Sequence, residues 1–256
     1  MTEYGKMEEM QAREFYQRLL DKRESLSRGE GKVKVQGNRG VLEGIFGTDI
    51  PEKGLGYEGV VKAFDAIDSV STHWGHANFY AYFPSTISDA GLAADLIHTH
   101  FPVSSTSYDL NPHATKLEEE LTEEVRRILY LPERYSREHG GHGLIMTTTG
   151  NGSLLAVHVS KYKKLKELGG NVDNVRKLVG YYPTFAHSHC IKALILNGIQ
   201  ETRKIGLVLD KKAKNFAMDL AELKQKIEED KKNGLIPFIC FAAFGATSCC
   251  GIDDME

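Results

Sequence analysis

From about residue 144 onward, short apolar runs alternate with helical patterns, and this alternation constrains the fold more than any other feature of the chain. The runs "GLIMTT", "KLVGYY", "KIGLVLD" and "IPFICFAAFG" read as strands. Between them fall a helix from about 151 to 168 closed by Gly169 and Gly170, a second near 186–196, and a third in "DLAELKQKIEEDKKNG". Strands separated by helices are joined by crossovers, because a parallel neighbour cannot be reached through a tight turn. The expectation is an α/β fold with helices on one mostly parallel sheet.

The residues before this region are helical in pattern. Residues 7–24 place Met10, Phe15, Leu19 and Leu20 among charges, an amphipathic helix that needs a surface to lie on. After a loop-like "SRGEGKVKVQGNRG", the stretch "GYEGVVKAFDAI" sets Val60, Phe64 and Ile67 along one face. "SDAGLAADLIHTH" opens on a Ser-Asp start signal. "NPHATKLEEELTEEVRRILYLP" has Asn111 as cap, Pro112 at the first helical position and an apolar side of Leu117, Leu121, Val125 and Ile128.

Charge and cysteine content exclude several classes. The 32 Lys and Arg against 35 Asp and Glu give a formal net charge of -3, mixed along the chain, which argues against a nucleic-acid partner. No apolar run reaches the ~18 residues a membrane span requires. The acidic amino end lacks the basic start and apolar centre of a signal peptide, so a cytoplasmic protein is expected. Cys190, Cys240, Cys249 and Cys250 lack paired zinc-type spacing and read as reduced thiols. The histidine pairs His98/His100, His139/His142 and His187/His189 have no adjacent carboxylate or cysteine set, and no metal is expected.

Three stretches carry chemistry. In "GLIMTTTGNGSLLAVHVSKYKK", Thr147, Thr148, Thr149, Gly150, Asn151 and Gly152 run straight into a helix, which collects hydroxyls and free amides at a positive helix end. This is an anion cradle in form, although a capped turn has the same composition, and neither the dinucleotide fingerprint nor the Walker loop is present. In "YYPTFAHSHCIKA", His187 follows a strand, where its imidazole could stack on a ring held in the cradle or be satisfied by backbone as a loop residue. "CFAAFGATSCCGID" ends an apolar strand in Thr247 and Ser248, placed where ligands bind in such sheets, or simply in a turn. A fourth stretch, "HWGHANFYAYFPST", concentrates Trp74, Phe79, Tyr80, Tyr82 and Phe83 ahead of Pro84, as either a core crossing or a binding wall.

In their order, "THWGHANFYAYFPST", "NPHATKLEEELTEEV", "TTTGNGSLLA", "TFAHSHCIKA" and "GLIPFICFAAFGATSCCGIDD" closely resemble the group II pyridoxal-phosphate-dependent decarboxylases, in particular the aromatic L-amino-acid decarboxylases. The resemblance covers nearly the whole chain from about residue 50. It implies the aspartate-aminotransferase-like fold type I, pyridoxal 5'-phosphate (PLP) as cofactor, a small amino acid as substrate, and a homodimer in which amino-terminal helices pack across the partner. It further implies that Thr148, Thr149 and Gly150 hold the phosphate, Thr247 helps hold the cofactor, and His187 stacks on the pyridine ring with a catalytic part. Trp74, Tyr82, Phe83 and Pro84, with Ser104 and Thr106, correspond to the substrate pocket. The implied organisation is an amino-terminal helical and pocket segment, 1–86, followed by a PLP-binding large domain, 87–256, that is incomplete.

The sequence also departs from the family. The aspartate facing the pyridine nitrogen and the lysine that binds the cofactor covalently fall beyond Glu256 in the family's order, and Lys211, Lys212 and Lys214 stand in charged surroundings. Asn151 and Gly152 replace the usual Glu-Ala, Ala77 replaces a proline, and Ser104 and Thr106 replace larger apolar residues. The expectation is PLP-dependent decarboxylation of an aromatic L-amino acid for the lineage, with this chain inactive alone. The alternative is a non-catalytic truncated paralogue acting as a dimerisation partner.

Overall fold

The computed structural model describes residues 3–33, 39–41, 43–47, 52–82, 88–101, 107–211 and 214–255. Two units emerge, Met1–Pro102 and Val103–Glu256. The first holds α1 (Glu3–Ser27), α2 (Glu43–Phe46), α3 (Gly56–Val70) and α4 (Asp89–His100). The partner surface that α1 requires is α3. Phe15 meets Tyr57 and Phe64 edge-on, with ring centroids 6.0 and 5.4 Å apart, a geometry favoured by the ring quadrupoles. Ion pairs line the same seam: Arg18 to Asp65, and Lys22 to Asp68 at 2.9 Å. Ser88 caps α4 by accepting the Gly91 N–H, as the Ser-Asp signal predicts.

The second unit begins with α5 (Pro112–Ile128) and α6 (Thr149–Glu167). Asn111 caps α5 through the Ala114 N–H, and Thr148 caps α6 through the Asn151 N–H. Then follow β1 (Leu178–Pro183), α7 (His189–Leu196), β2 (Glu201–Ile205), β3 (Leu207–Asp210), β4 (Asn215–Met218), α8 (Leu220–Lys232) and β5 (Ile236–Cys240). β1 is central, with β2 and β5 parallel on either side, as the alternation requires. The β1–β5 register slips between Val179 and Gly180, next to Pro237. A proline has no ladder donor and is tolerated at such an irregularity.

Because side chains alternate across a strand, β1 feeds two cores. Leu178 packs with Val157 of α6 and with Ala193 and Leu194 of α7, while Val179 and Tyr181 pack with Ile205 and Met218, flanked by Leu223 and Ile227 of α8. Gly180 lets α7 come close, since a Cβ there would stand 2.5 Å from Leu194 Cδ2. The Tyr181 hydroxyl is buried beneath α8 and donates to Asp230 at 2.8 Å, and Arg203 donates to the same carboxylate at 2.6 and 3.0 Å. Burial first, and the Asp230 bond second, raise the Tyr181 pKa, so the phenol stays a donor.

Two sequence expectations change. "GLIMTT" pairs with no strand among the described residues, because the Ile145 N–H that a ladder would use donates instead to Glu118 of α5, at 2.9 Å. "KIGLVLD" is divided at Gly206, whose N–H goes to Glu222 and whose carbonyl accepts from Asp219; β2 therefore ends and β3 turns into an antiparallel hairpin with β4.

Candidate functional site

The carboxyl end of β1 and the amino end of α6 build the site. Thr148 is extended, with φ −146° and ψ 153°, and its hydroxyl takes the Asn151 N–H at 3.1 Å. Asn151 also donates its side-chain amide to Thr147 Oγ1 at 3.0 Å, closing the turn. The first amides of an α-helix have no intrahelical acceptor, so those of Thr149 and Gly150 point out of the helix end. A Cβ at Gly150 would meet only Thr148 Oγ1, at 3.7 Å, and the approach to these amides is open.

One turn along α6, Ser153 lies on the same face as Thr149 and Gly150 by the i, i+4 and i, i+3 spacing. Its hydroxyl is 2.9 Å from Nδ1 of His189. The His189 ring stacks on His187, with centroids 5.1 Å apart and planes at 26°. The main-chain N–H of His189 donates to His187 Nδ1 at 3.3 Å, so a neutral His187 carries its proton on Nε2. Burial, then the neighbouring His187, lowers the His189 pKa and favours a neutral ring. Cys190, buried on the next position, has its thiol pushed up to about 11 by burial and is an inert thiol at neutral pH.

Beyond β5, Thr247 is exposed on a turn in which Ala246 O accepts from Cys249 and Cys250. That turn and the loop after β1 lie at one edge, since a Cβ on Gly251 would stand 3.3 Å from Phe185 Cε2. The buried carboxylate of Asp253 fixes the turn by accepting Met218 N–H at 2.6 Å and Ala243 N–H at 2.7 Å.

The aromatic stretch belongs to the first unit. Trp74 lies against buried Phe79, with centroids 5.0 Å apart, and stacks on Tyr82 at 5.5 Å with planes 12° apart. Tyr82 adopts φ 57°, which turns its ring onto Trp74 at some strain for a non-glycine residue. Phe83, Pro84, Ser104 and Thr106 lie outside the described residues. Thr148, Thr149 and Gly150 thus share the amino end of α6, His187 is linked to that helix through His189 and Ser153, Thr247 stands on the turn after β5, and Trp74 with Tyr82 forms a separate aromatic stack.

Residues 47–256 match the pyridoxal-dependent decarboxylase conserved domain, and the chain belongs to that family. Tyrosine decarboxylase 4 of Petroselinum crispum is 34% identical over 184 residues, covering 72% of this chain and 36% of the relative. Aromatic-L-amino-acid decarboxylase of Mus musculus is 29% identical over 225 residues, covering 84% and 46%. The crystal structure of Oryza sativa TDC with PLP and tryptamine superposes with a TM-score of 0.85 at 24% identity, covering 96% of this chain and 50% of that one. Rhodiola rosea 4-hydroxyphenylacetaldehyde synthase superposes at 0.84 with 25% identity, covering 97% and 52%. The fold is therefore PLP fold type I, and the chain spans about a third to a half of the length of these relatives.

Sequence reading did not single out Ser153, its contact with His189, or Asp253. His189 was visible only as half of a histidine pair. Ser153 carried one usable signal, its helical spacing from Thr149.

Proposed function

We propose that this chain provides the cofactor-cradling part of a PLP-dependent decarboxylase acting on an aromatic L-amino acid. The observation that carries the reading is the joining of an open, threonine-capped helix end to a histidine pair at the carboxyl edge of β1. The group fits these residues. Thr148, Thr149 and Gly150 would hold its phosphate with hydroxyls, amides and the helix dipole, and Thr247 would support it from the next strand end. His187 would lie on the ring face and present its Nε2–H. When bound, the cofactor supplies an electron sink for the pair left behind as carbon dioxide departs. The Trp74–Tyr82 stack offers flat apolar faces suited to an aromatic side chain, and Tyr82 keeps a hydroxyl for orientation.

The family resemblance assigns the covalent lysine role to no residue of this chain, so the chain alone is expected to bind PLP without decarboxylating. Its working state is a homodimer. The exposed apolar residues Met10, Tyr16, Leu20, Leu96, Ile97 and Phe101 of the first unit support association.

Titration of the purified chain with PLP, followed by visible circular dichroism, tests the cofactor reading, and carbon dioxide release from tyrosine, tryptophan or dihydroxyphenylalanine tests the activity. An induced dichroic band without carbon dioxide is expected. Absence of the band would overturn the cofactor reading and favour a non-catalytic association partner; carbon dioxide release by the isolated chain would overturn its inactivity.

A further inference from the structure

His187 and the cradle helix are linked by a residue pair that the proposed function does not itself require. Ser153 sits one turn inside α6 on the face shared by Thr149 and Gly150. Across 36 residues of sequence it meets His189 Nδ1 at 2.9 Å, and the other side of that imidazole is stacked on His187. A second tie runs farther along the same two helices: Asn197, at the end of α7, donates to Leu154 O at 3.1 Å and lies 3.2 Å from His158 Nδ1. α7 is thereby fastened to α6 at both of its ends, and only the Ser153–His189 end touches the site.

We infer that His189 is a positioning residue: bonded to Ser153 and stacked on His187, it makes the seat of the phosphate and the orientation of the ring-facing imidazole a single unit. This rests on the reading of α6 as a phosphate cradle and of His187 as the ring-facing group. Without the Ser153 bond, His189 Nδ1 keeps only the weaker contact with the Cys190 thiol at 3.5 Å, the ring is held less firmly in its rotamer, and the flat surface behind His187 becomes less fixed.

The test uses the whole chain and three variants, Ser153→Ala, His189→Phe and the double variant, with His189→Asn as the conservative replacement, since its side-chain amide can occupy the Nδ1 position. The first readout needs no cofactor: nitrogen-15 spectra of the His187 ring report its tautomer. Wild type is expected to show one neutral form, protonated at Nε2, and Ser153→Ala a mixture. The second readout is PLP affinity by induced dichroism. Each single variant is expected to weaken it about two- to tenfold, the size of one hydrogen bond. The double variant is expected to be no worse than the worse single one, because the pair acts as a unit. His189→Asn should recover part of the loss. Unchanged His187 spectra in Ser153→Ala, or losses that add independently, would overturn the inference. Should wild type bind no PLP, the functional reading fails, and the His187 spectra still decide whether the pairing positions the ring. Should His189→Phe fail to fold, Ser153→Ala carries the test alone.

Discussion

The strands of the second unit and the helices of the first reach stability by different routes. Leu178, Val179, Tyr181, Leu194 and Ile205 are all at most 1% exposed, so β1 and the residues packed on it form a dry core, whereas α5 of the same unit leaves Leu117, Leu121, Val125 and Ile128 exposed. α4 buries none of its residues, and α1 leaves Met10 57% and Tyr16 57% exposed. Among the described residues, α1 is held to α3 by one phenylalanine meeting two rings, by Arg18 over the Phe64 ring at 5.6 Å, and by two partly exposed ion pairs. Exposed pairs contribute about 0–1 kcal/mol each, whereas one fully buried aliphatic side chain contributes about 1.5–3 kcal/mol. Burial around β1 therefore contributes far more per residue than the seam between α1 and α3.

That contrast can be broken most directly at the sheet. Leu194→Ala should lower the unfolding free energy by about 2–5 kcal/mol, seen as a shift of the urea midpoint, because it deletes a fully buried side chain between β1 and α7. A loss below about 1 kcal/mol would mean that the core is looser than its burial implies. High pH should act on the same core more gently. The Cys190 thiol is raised from 9.0 to about 11 by burial, so the folded state keeps a proton that the unfolded state releases. The stabilising contribution is intact below pH 9 and is lost as pH rises toward 11, and Cys190→Ala should flatten that part of the curve. The smallest effect belongs to the helices. Lys22→Met removes the pair with Asp68 and should change stability by no more than about 1 kcal/mol, by thermal melting. A larger loss would place the cohesion of the first unit in its charges.

What was legible in the sequence followed local physics. Asn111 with Pro112 announced α5, and the Ser-Asp start at Ser88 announced α4, because capping depends on residues within one turn. The β1–β2–β5 sheet was legible as alternation. Tertiary competition was not: Glu118 took the Ile145 amide, and Glu222 with Asp219 took Gly206, which cut an expected run in two. The same holds at the site. Thr148 to Gly150 lie together in sequence and could be read as a cradle, but Ser153 and His189 meet only through packing of α6 on α7.

Asp253 gives the site a mechanical character. One carboxylate grips an amide of β4 with one oxygen and an amide just after β5 with the other. The turn bearing Thr247 and the β3–β4 hairpin are therefore tied to each other through one side chain. Sequence change that lengthens or re-aims the hairpin would shift the reach of Thr247 with no substitution in the turn itself, and the hairpin becomes a place where the fit of the site can be adjusted from a distance.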